Sequence, residues 1–478
     1  MQATVPQAAL RVTLGCVPPL DLPPEDFRAV AAQVTEAAER FLAGLDDRRV
    51  APDATGEAVA AAFDGPVPEE GVGAAALDDL PQVAELGRVA NGRFFGYVHG
   101  SGEPVAAIAD LFASVINQNA TAWRSAPAGI AIERTVVGWL AEAIGCAGFS
   151  GAFTSGGSLA NLMALAMARE SRLSANEDGA RPAVVYASSE AHMSMHKALA
   201  LLGLGRSNLR VIEVDDALRM RADALREAIA QDRAAGRNAI AVVATAGTVN
   251  TGAIDPLPEV AQIARDNDLW LHVDGAYGAP AAIAVPERFA GLDLADSISL
   301  DAHKWLYQPL DCSILLYRDP EIARTTFAYT GDYARSLTDD PVEGFAFFEE
   351  TIELSRRFRA LKLWASLRYH GLGGFREAIR ANLEQAQLLA RLVEAEPSLE
   401  LLAPVELSAV CFRVKDAPNE DILRDVNRAG RVYLSNASIR GAFALRACFV
   451  NHRTTDADVE AIVTAVLAAA SQRTQRPA

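Results

Sequence analysis

The sequence predicts an α/β protein whose large domain contains a mostly parallel β-sheet covered by helices. Short apolar runs alternate with amphipathic stretches between residues 104 and 317, as in proteins that join parallel strands through helices. The chain has 478 residues, which is more than a single hydrophobic core usually spans, so several domains are expected. Half of the residues are apolar and 22% are charged, which is typical of globular enzymes.

A helical segment is predicted before this domain. Apolar residues recur at helical spacing from 24 to 46, and Pro23-Pro24 is placed to open the helix. A region rich in Pro, Gly, Glu and Asp follows from Val50 to about Asp79 and is typical of a linker or a surface loop. We therefore predict an N-terminal helical arm over residues 1–93.

The apolar runs predict the strands of the large domain, which we assign to residues 94–371. They lie at residues 151–154, 183–187, 209–214, 239–245, 269–274, 297–300 and 313–317. Reactive side chains follow several of these runs. Because the carboxyl ends of parallel strands share one edge of an open sheet, where ligands bind, we expect those side chains to converge.

A second, smaller α+β domain is predicted over residues 372–478. A long helix at 375–396 leads into it after Leu372-Gly373-Gly374. Candidate strands lie at 400–402, 410–414, 431–435 and 442–448, and candidate helices at 419–429 and 456–470.

Charge and cysteine content disfavour several classes of protein. The net charge of −17 disfavours nucleic acid as a partner. The five cysteines are widely spaced without metal-ligand patterns, so neither a disulfide framework nor a metal site is predicted. The N-terminus lacks the pattern of a signal peptide, and no uncharged stretch reaches transmembrane length. We expect a cytoplasmic protein that does not bind membranes.

Three motifs carry the predicted chemistry. Lys304 follows an apolar strand in Asp301-Ala302-His303-Lys304, where burial and a nearby cation would favour a reactive amine, although a lone lysine is more often solvated. Asp274 ends another apolar strand, where a turn or helix-cap role is equally open. Gly156-Gly157-Ser158 opens a predicted helix.

Together these motifs match the needs of pyridoxal 5'-phosphate (PLP). The amine bonds to its aldehyde, the carboxylate faces its ring nitrogen, and the helix N-terminus binds its phosphate. The glycine turn matches neither the GxGxxG nor the GxxxxGK[ST] pattern of nucleotide-binding proteins. His192 follows the strand at 183–187, where it is placed to stack on a flat cofactor; a structural, hydrogen-bonded histidine is the alternative.

Several further motifs occur in a fixed order along the chain. They include Asn91 to Tyr97, Ala122-Trp123, the glycine turn, His192, Val243 to Thr248, His272 to Tyr277, His303-Lys304-Trp305, and Arg356 to Lys362. In this order they resemble the group II pyridoxal-phosphate decarboxylases, and most closely the aromatic L-amino acid decarboxylases, from about Phe94 to about Thr454. The resemblance implies fold type I of the PLP-dependent transferases, and a homodimer with its active site at the interface.

The resemblance also implies roles for individual residues. Lys304 corresponds to the lysine that bonds to PLP, Asp274 to the partner of the ring nitrogen, and His192 to the residue that stacks on the ring and assists catalysis. The remaining predicted cofactor neighbours are Gly156, Gly157, Ser158, Thr245, Ala276 and His303.

Tyr333 falls at the position of a family tyrosine that protonates the product carbon in the opposite subunit, with Tyr329 as a nearby competitor. In the family, tyrosine there favours simple decarboxylation, whereas phenylalanine favours oxidative deamination to an aldehyde, because a carbanion without a prompt proton donor meets oxygen. We therefore predict Lys304, His192 and Tyr333 as the catalytic residues.

The substrate is predicted from an aromatic mouth and is the more open part of the interpretation. Phe94, Phe95, Tyr97 and Trp123 suit tyrosine, tryptophan, phenylalanine or dihydroxyphenylalanine, and His99 is placed to bind a phenol, unless these side chains are ordinary core. An acidic or aliphatic substrate, the aldehyde-forming reaction, and a catalytically silent binding subunit are the alternatives. Retention of Lys304, Asp274 and Tyr333 argues against the silent subunit.

The sequence does not assign a single role to two further residues, Asp301 and Arg446. Asp301 stands where animal relatives have asparagine, so its acid must bond to other donors. Arg446 is a candidate for binding the substrate carboxylate, and a surface or ion-paired arginine is the alternative.

Overall fold

The computed structural model describes residues 20–329, 338 and 340–474. Contacts divide the chain into two compact units between Val89 and Ala90. The first unit contains the helices α1 (Pro24–Ala43), α2 (Gly56–Phe63) and α3 (Leu80–Leu86). Helix α1 begins after Pro23, as predicted.

Helix α2 corrects the prediction of an irregular linker after Val50. The side chain of Thr55 accepts a hydrogen bond from the N–H of Ala58 at 3.2 Å and so caps the helix. The alanines that follow have high helix propensity, which the Pro and Gly residues on either side obscured in the sequence.

The second unit contains a seven-stranded sheet. Its strands are β1 (Ser150–Thr154), β2 (Val184–Ser188), β3 (Leu209–Ile212), β4 (Ala239–Thr245), β5 (Trp270–Asp274), β6 (Ser297–Asp301) and β7 (Ser313–Tyr317). They are ordered β1-β7-β6-β5-β4-β2-β3. Strand β7 is antiparallel to β1 and β6, and all other neighbours are parallel. The prediction of an α/β class with a mostly parallel sheet is confirmed.

Helices cover both faces of this sheet. They are α4 (Pro104–Ile116), α5 (Pro127–Ala143), α6 (Gly157–Leu173), α7 (Ala175–Asp178), α8 (Ser194–Leu201), α9 (Ala222–Ala234), α10 (Leu257–Asp266), α11 (Ala302–Trp305), α12 (Pro320–Phe327) and α13 (Ala360–Ala395). Helices α6, α8 and α12 pack with one apolar cluster, and α5, α9 and α10 with another. Because both faces are buried, strands β2 and β4 consist largely of apolar residues.

A four-stranded antiparallel sheet follows α13. It consists of β8 (Leu399–Leu401), β9 (Ala409–Val414), β10 (Ser435–Ile439) and β11 (Ala442–Cys448) in the order β10-β11-β9-β8, with helices α14 (Asn419–Ala429) and α15 (Asp456–Thr474). Gly371 interrupts α13 with φ 68° and ψ 160°, a backbone conformation that glycine adopts readily. A domain boundary at this break, between residues 371 and 372, stays a prediction.

The predicted strand at 431–435 was wrong, since β10 begins only at Ser435. The backbone of Tyr433 is engaged elsewhere: its N–H donates to the carbonyl of Arg93, and its carbonyl accepts from the N–H of Phe95. Within the described ranges, no helix has the length and apolar character needed to span a membrane.

Candidate active site

A cavity of about 460 Å³ lies at the carboxyl edge of the large sheet. Strands β1, β2, β4, β5 and β6 run in one direction, so their carboxyl ends share this edge. All the predicted cofactor neighbours line the cavity, namely Gly156, Gly157, Ser158, His192, Thr245, Asp274, Ala276, His303 and Lys304. The structure therefore brings together residues that are up to 148 positions apart, from Gly156 to Lys304.

Lys304 contributes the amine of this cavity. The chain has four lysines, Lys197, Lys304, Lys362 and Lys415. All four are within the described residues, and Lys304 is the one that lines the cavity. Its Nζ lies 2.9 Å from Oδ2 of Asp301, which is 2% exposed. Asp301 is thus the buried counterion of the lysine amine.

His303 has a defined tautomer in its neutral form. Its Nδ1 lies 3.0 Å from the carbonyl oxygen of Cys312, which can only accept, so Nδ1 carries the hydrogen. Its Nε2 lies 3.7 Å from Oδ2 of Asp301. Burial lowers the pKa of His303, and the Asp301 charge opposes this shift. His303 is therefore neutral near pH 7, with its lone pair on Nε2.

Asp274 is held in place by three donors. Its Oδ2 accepts from Asn161 Nδ2 at 3.0 Å, and its Oδ1 accepts from Ser299 Oγ at 3.0 Å and from the backbone N–H of Ala276 at 3.2 Å. The residue is only 6% exposed and lines the cavity. These bonds give the carboxylate a fixed position towards a ligand.

The glycine turn joins β1 to α6 and requires a small residue. A Cβ at Gly157 would lie 2.9 Å from the Cβ of Ala276 and 3.0 Å from Oδ2 of Asp301. Only glycine permits this close approach. The first N–H groups of α6 have no acceptor within the helix, and they form a partial positive charge at the cavity. Such a terminus binds phosphate.

His192 lies in the loop after β2 and also lines the cavity. Its Nδ1 accepts the backbone N–H of Ser194 at 3.2 Å, so Nε2 carries the hydrogen of the neutral ring. Burial is the largest influence on His192 and lowers its pKa. The ring is therefore neutral near pH 7.

The residues of the cavity fit PLP. Two buried polar atoms at its surface, Thr245 Oγ1 and Asp301 Oδ1, have no hydrogen-bond partner in the described part of the chain, as expected of a site built for a polar ligand. An amine, a fixed carboxylate and a helix N-terminus complete the donor and acceptor set.

A family model for the pyridoxal-dependent decarboxylase conserved domain matches residues 84–415. This chain belongs to that family. PLP is accordingly its cofactor, and the two sheets are those of the type I fold of PLP-dependent enzymes. Within the described ranges, no group of three or more His, Cys, Asp or Glu side chains is arranged to hold a metal ion.

Individual relatives agree with this assignment. An aromatic-L-amino-acid decarboxylase from Bacillus atrophaeus is 35% identical over 402 residues, covering 81% of this chain and 83% of that protein. A 4-hydroxyphenylacetaldehyde synthase from Rhodiola rosea is 32% identical, covering 76% and 77%. The crystal structure of Oryza sativa TDC with PLP and tryptamine superposes with a TM-score of 0.88 at 25% identity, covering 96% and 100%. The chain is a PLP-dependent amino-acid decarboxylase.

The predicted substrate-binding residues of this decarboxylase do not line the cavity. The Tyr97 hydroxyl lies 3.1 Å from that of Tyr433, and the ring is half exposed. Trp123 packs beside a cluster around Phe347. His99 contacts the ring of Phe94 edge-on, at 5.8 Å between centroids. Their role in substrate binding stays a prediction.

Two other predicted residues have structural positions in the decarboxylase. Phe95 is fully buried in the core of the small sheet, with its ring 5.1 Å from that of Phe449, so it is not part of an aromatic mouth. Arg446 is 3% exposed and donates to the carbonyl oxygens of Val249, Asn250 and Tyr97. Backbone carbonyls and Ser435 Oγ bind four of the five N–H groups of Arg446, so this arginine holds loops together, and its role in binding a carboxylate stays a prediction.

The predicted proton donor Tyr333 lies outside the described residues. Its competitor Tyr329 is described and is 95% exposed. The sequence interpretation also missed Asn161, His272 and Ser299 as partners around Asp274. For His272 a signal was present in the sequence: His272 and Asp274 are two positions apart on one strand, so both face the same side of the sheet.

Proposed function

We propose that this decarboxylase converts an aromatic L-amino acid into the corresponding amine and CO2. The proposal rests on one observation: Lys304, Asp274 and the N-terminus of α6 line the same cavity. The aromatic substrate is supported by the names of the three relatives, which refer to an aromatic L-amino acid, a hydroxyphenyl compound and tryptamine.

Each residue has a separate task in this reaction. PLP, when bound, supplies an electron sink for the bond that breaks to CO2. Lys304 holds the cofactor. The negative charge of the fixed Asp274 carboxylate stabilises a proton on the ring nitrogen of PLP. His192 keeps its Nε2–H for the ligand, because Nδ1 is already bonded to Ser194. Tyr333 is proposed to deliver the proton to the product carbon.

A substrate panel tests the proposal. We expect tyrosine, tryptophan, phenylalanine or dihydroxyphenylalanine to give CO2 and amine in equal amounts, without peroxide. The kcat/KM for the best of them should exceed that for glutamate or valine by at least about 100-fold, since a site built for a ring leaves contacts unmade with other side chains. CO2 release, amine, aldehyde and peroxide are measured together. Faster turnover of glutamate or valine would contradict the aromatic assignment.

Aldehyde formation is the second candidate, because one relative is an aldehyde synthase. It would appear in the same panel as aldehyde and peroxide with little amine. In the family that the sequence resembles, tyrosine at the position of Tyr333 favours amine formation, since a proton donor for the product carbon leaves less opportunity for reaction with oxygen.

We further propose that the active enzyme is a homodimer. Helix α4 exposes an apolar stripe formed by Ile108, Leu111, Phe112 and Val115, which are spaced i, i+3, i+4 and i+7 and are each more than half exposed. Leu310 lines the cavity and is 56% exposed as well. Exposed apolar surface of this extent marks an interface, and a second copy of the chain is the proposed occupant.

If the apolar stripe of α4 forms the dimer interface, charged residues placed in it should prevent the two subunits from associating. The double substitution Leu111→Asp with Phe112→Asp should shift the sedimenting species from twice 50.8 kDa to 50.8 kDa and reduce activity in parallel. Val211→Asp, at another exposed apolar residue, is the matched control and should remain dimeric. A wild-type protein that sediments as an active monomer would refute the homodimer.

A further inference from the structure

A buried chain of hydrogen bonds lies behind the cavity. Alternate residues of β5, namely Trp270, His272 and Asp274, face the same side of the sheet as Ser297 and Ser299 of β6. The strand register pairs His272 with Ser297 and Asp274 with Ser299. Helix α6 covers this face and contributes Asn161, which is 1% exposed. Each of these side chains is at least nine-tenths buried.

The direction of every bond follows from Asp274. A carboxylate only accepts, so the atom of Asn161 that lies 3.0 Å from Asp274 Oδ2 is the amide nitrogen. The other amide atom is then an oxygen, which also only accepts. It lies 2.9 Å from His272 Nε2, so this nitrogen carries the hydrogen of the imidazole.

The far end of the hydrogen-bond chain, at Ser297 and Trp270, is consistent with this direction. His272 Nδ1 is then an acceptor, and it lies 3.0 Å from the Ser297 hydroxyl, which donates to it. Ser297 in turn accepts from the indole N–H of Trp270 at 2.9 Å, and an indole can only donate. Burial lowers the pKa of His272 to about 4, so the ring stays neutral at physiological pH.

A branch connects the same amide to His192. The nitrogen of Asn161 also lies 3.1 Å from the Ser194 hydroxyl and donates to it. That hydroxyl lies 2.9 Å from His192 Nδ1 and has its own hydrogen to donate there. Asn161 is therefore the one described side chain that bonds both to Asp274 and to the serine that orients His192.

We propose that Asn161, itself oriented by His272, is a positioning residue that holds Asp274 towards the cofactor ring and fixes His192 with its proton on Nε2. The inference rests on the proposed roles of Asp274 and His192 at the PLP site. It goes beyond them by assigning a function to two residues that do not react. Because one amide serves both branches, its loss should disturb the two together.

Two variants separate the two functions of the amide. Asn161→Leu removes both the donor and the acceptor, whereas Asn161→Asp keeps an oxygen for His272 and replaces the N–H donor by a carboxyl group that competes with Asp274 for one proton. Asn419→Ala is the matched control, because Asn419 is a buried amide of the small sheet region whose nitrogen and oxygen both bond to the backbone of Val414. Thermal unfolding of all variants measures the purely structural cost.

The first measurement is PLP affinity by titration of the cofactor-free protein. Loss of a hydrogen bond to a charged group should weaken PLP binding by about 10- to 100-fold in Asn161→Leu and Asn161→Asp, but not in Asn419→Ala. The second is nitrogen NMR of the seven labelled histidines without cofactor. His192 and His272 should both be Nε2–H tautomers in the wild type.

The variants should change these signals differently. In Asn161→Leu, both histidine signals should shift, and His192 should populate both tautomers. In Asn161→Asp, the His272 signal should stay near its wild-type position while that of His192 moves. Wild-type PLP affinity and unchanged histidine signals in Asn161→Leu would overturn the inference. Neither readout depends on the substrate, so a wrong choice of substrate class leaves this test intact.

Discussion

Lys304→Ala is expected to reduce decarboxylation by at least about 10³-fold, because it removes the amine that lines the cavity. None of the other three lysines, all of which are described, lines the cavity. Lys362 is fully buried and bonds to Asp110 at 3.2 Å, and Lys415 bonds to the carbonyl of Pro397 at 2.8 Å. The measurement is CO2 release at saturating PLP and substrate.

Two further variants make this result specific. Lys304→Ala leaves the buried Asp301 without its counterion, which can itself destabilise the fold. Lys304→Arg keeps a cation there but lacks a nucleophilic amine, so it should fold and remain inactive. Lys415→Ala is the surface control and should keep wild-type turnover.

Borohydride supplies an independent measurement, because it makes the bond between PLP and lysine permanent. Peptide mapping of the reduced wild-type protein should place the cofactor on Lys304 alone among the four lysines. Label on Lys197, or more than a tenth of wild-type turnover in Lys304→Arg, would contradict the assignment.

The sequence predicted the centre of the site because strand ends are local features. Apolar runs end at Thr245 and Asp274, and parallel strands must bring these ends to one edge. Gly157 was predictable for the same reason, since it follows β1 at that edge. These predictions required only the direction of each strand, which the alternation with helices supplies.

The surroundings of the site were less predictable, because they depend on tertiary contacts. Phe95 is an aromatic residue in a family motif. It nevertheless packs into the small sheet beside Phe449, which belongs to a distant part of the sequence. Arg446 has the charge that a carboxylate needs, but loop carbonyls occupy its donors. Neither set of partners can be read from local spacing.

Asn161 shows a third kind of limit. The residue lies three positions after Ser158 of the glycine turn, but its partner His272 lies 111 positions away. Polar residues within fully buried strands were the available signal, because a buried polar group requires a partner. That rule predicts that partners exist and does not identify them.

Asp274→Asn is expected to reduce kcat by about 10²- to 10⁴-fold, which corresponds to the 3–5 kcal/mol typically lost when one partner of a buried charge pair is removed. Asparagine has nearly the same size and keeps one oxygen for Ser299 and Ala276. Its amide nitrogen cannot stabilise a proton on the cofactor ring. The variant should therefore fold and bind PLP more weakly, which CO2 release and PLP titration measure separately.

The matched control and a second variant separate charge from position at Asp274. Asp232→Asn removes another buried carboxylate, which lies on α9 and pairs with Arg237 at 2.7 Å. This variant should lower the stability of the protein and leave kcat unchanged. Asp274→Glu retains the charge but displaces it by one methylene, and a displacement of this size costs about 10²-fold in rate. If Asp274→Asn instead retained more than a tenth of the wild-type kcat, the carboxylate would serve only to bind Asn161 and Ser299. The reaction would then not require a fixed anion at the ring nitrogen of PLP.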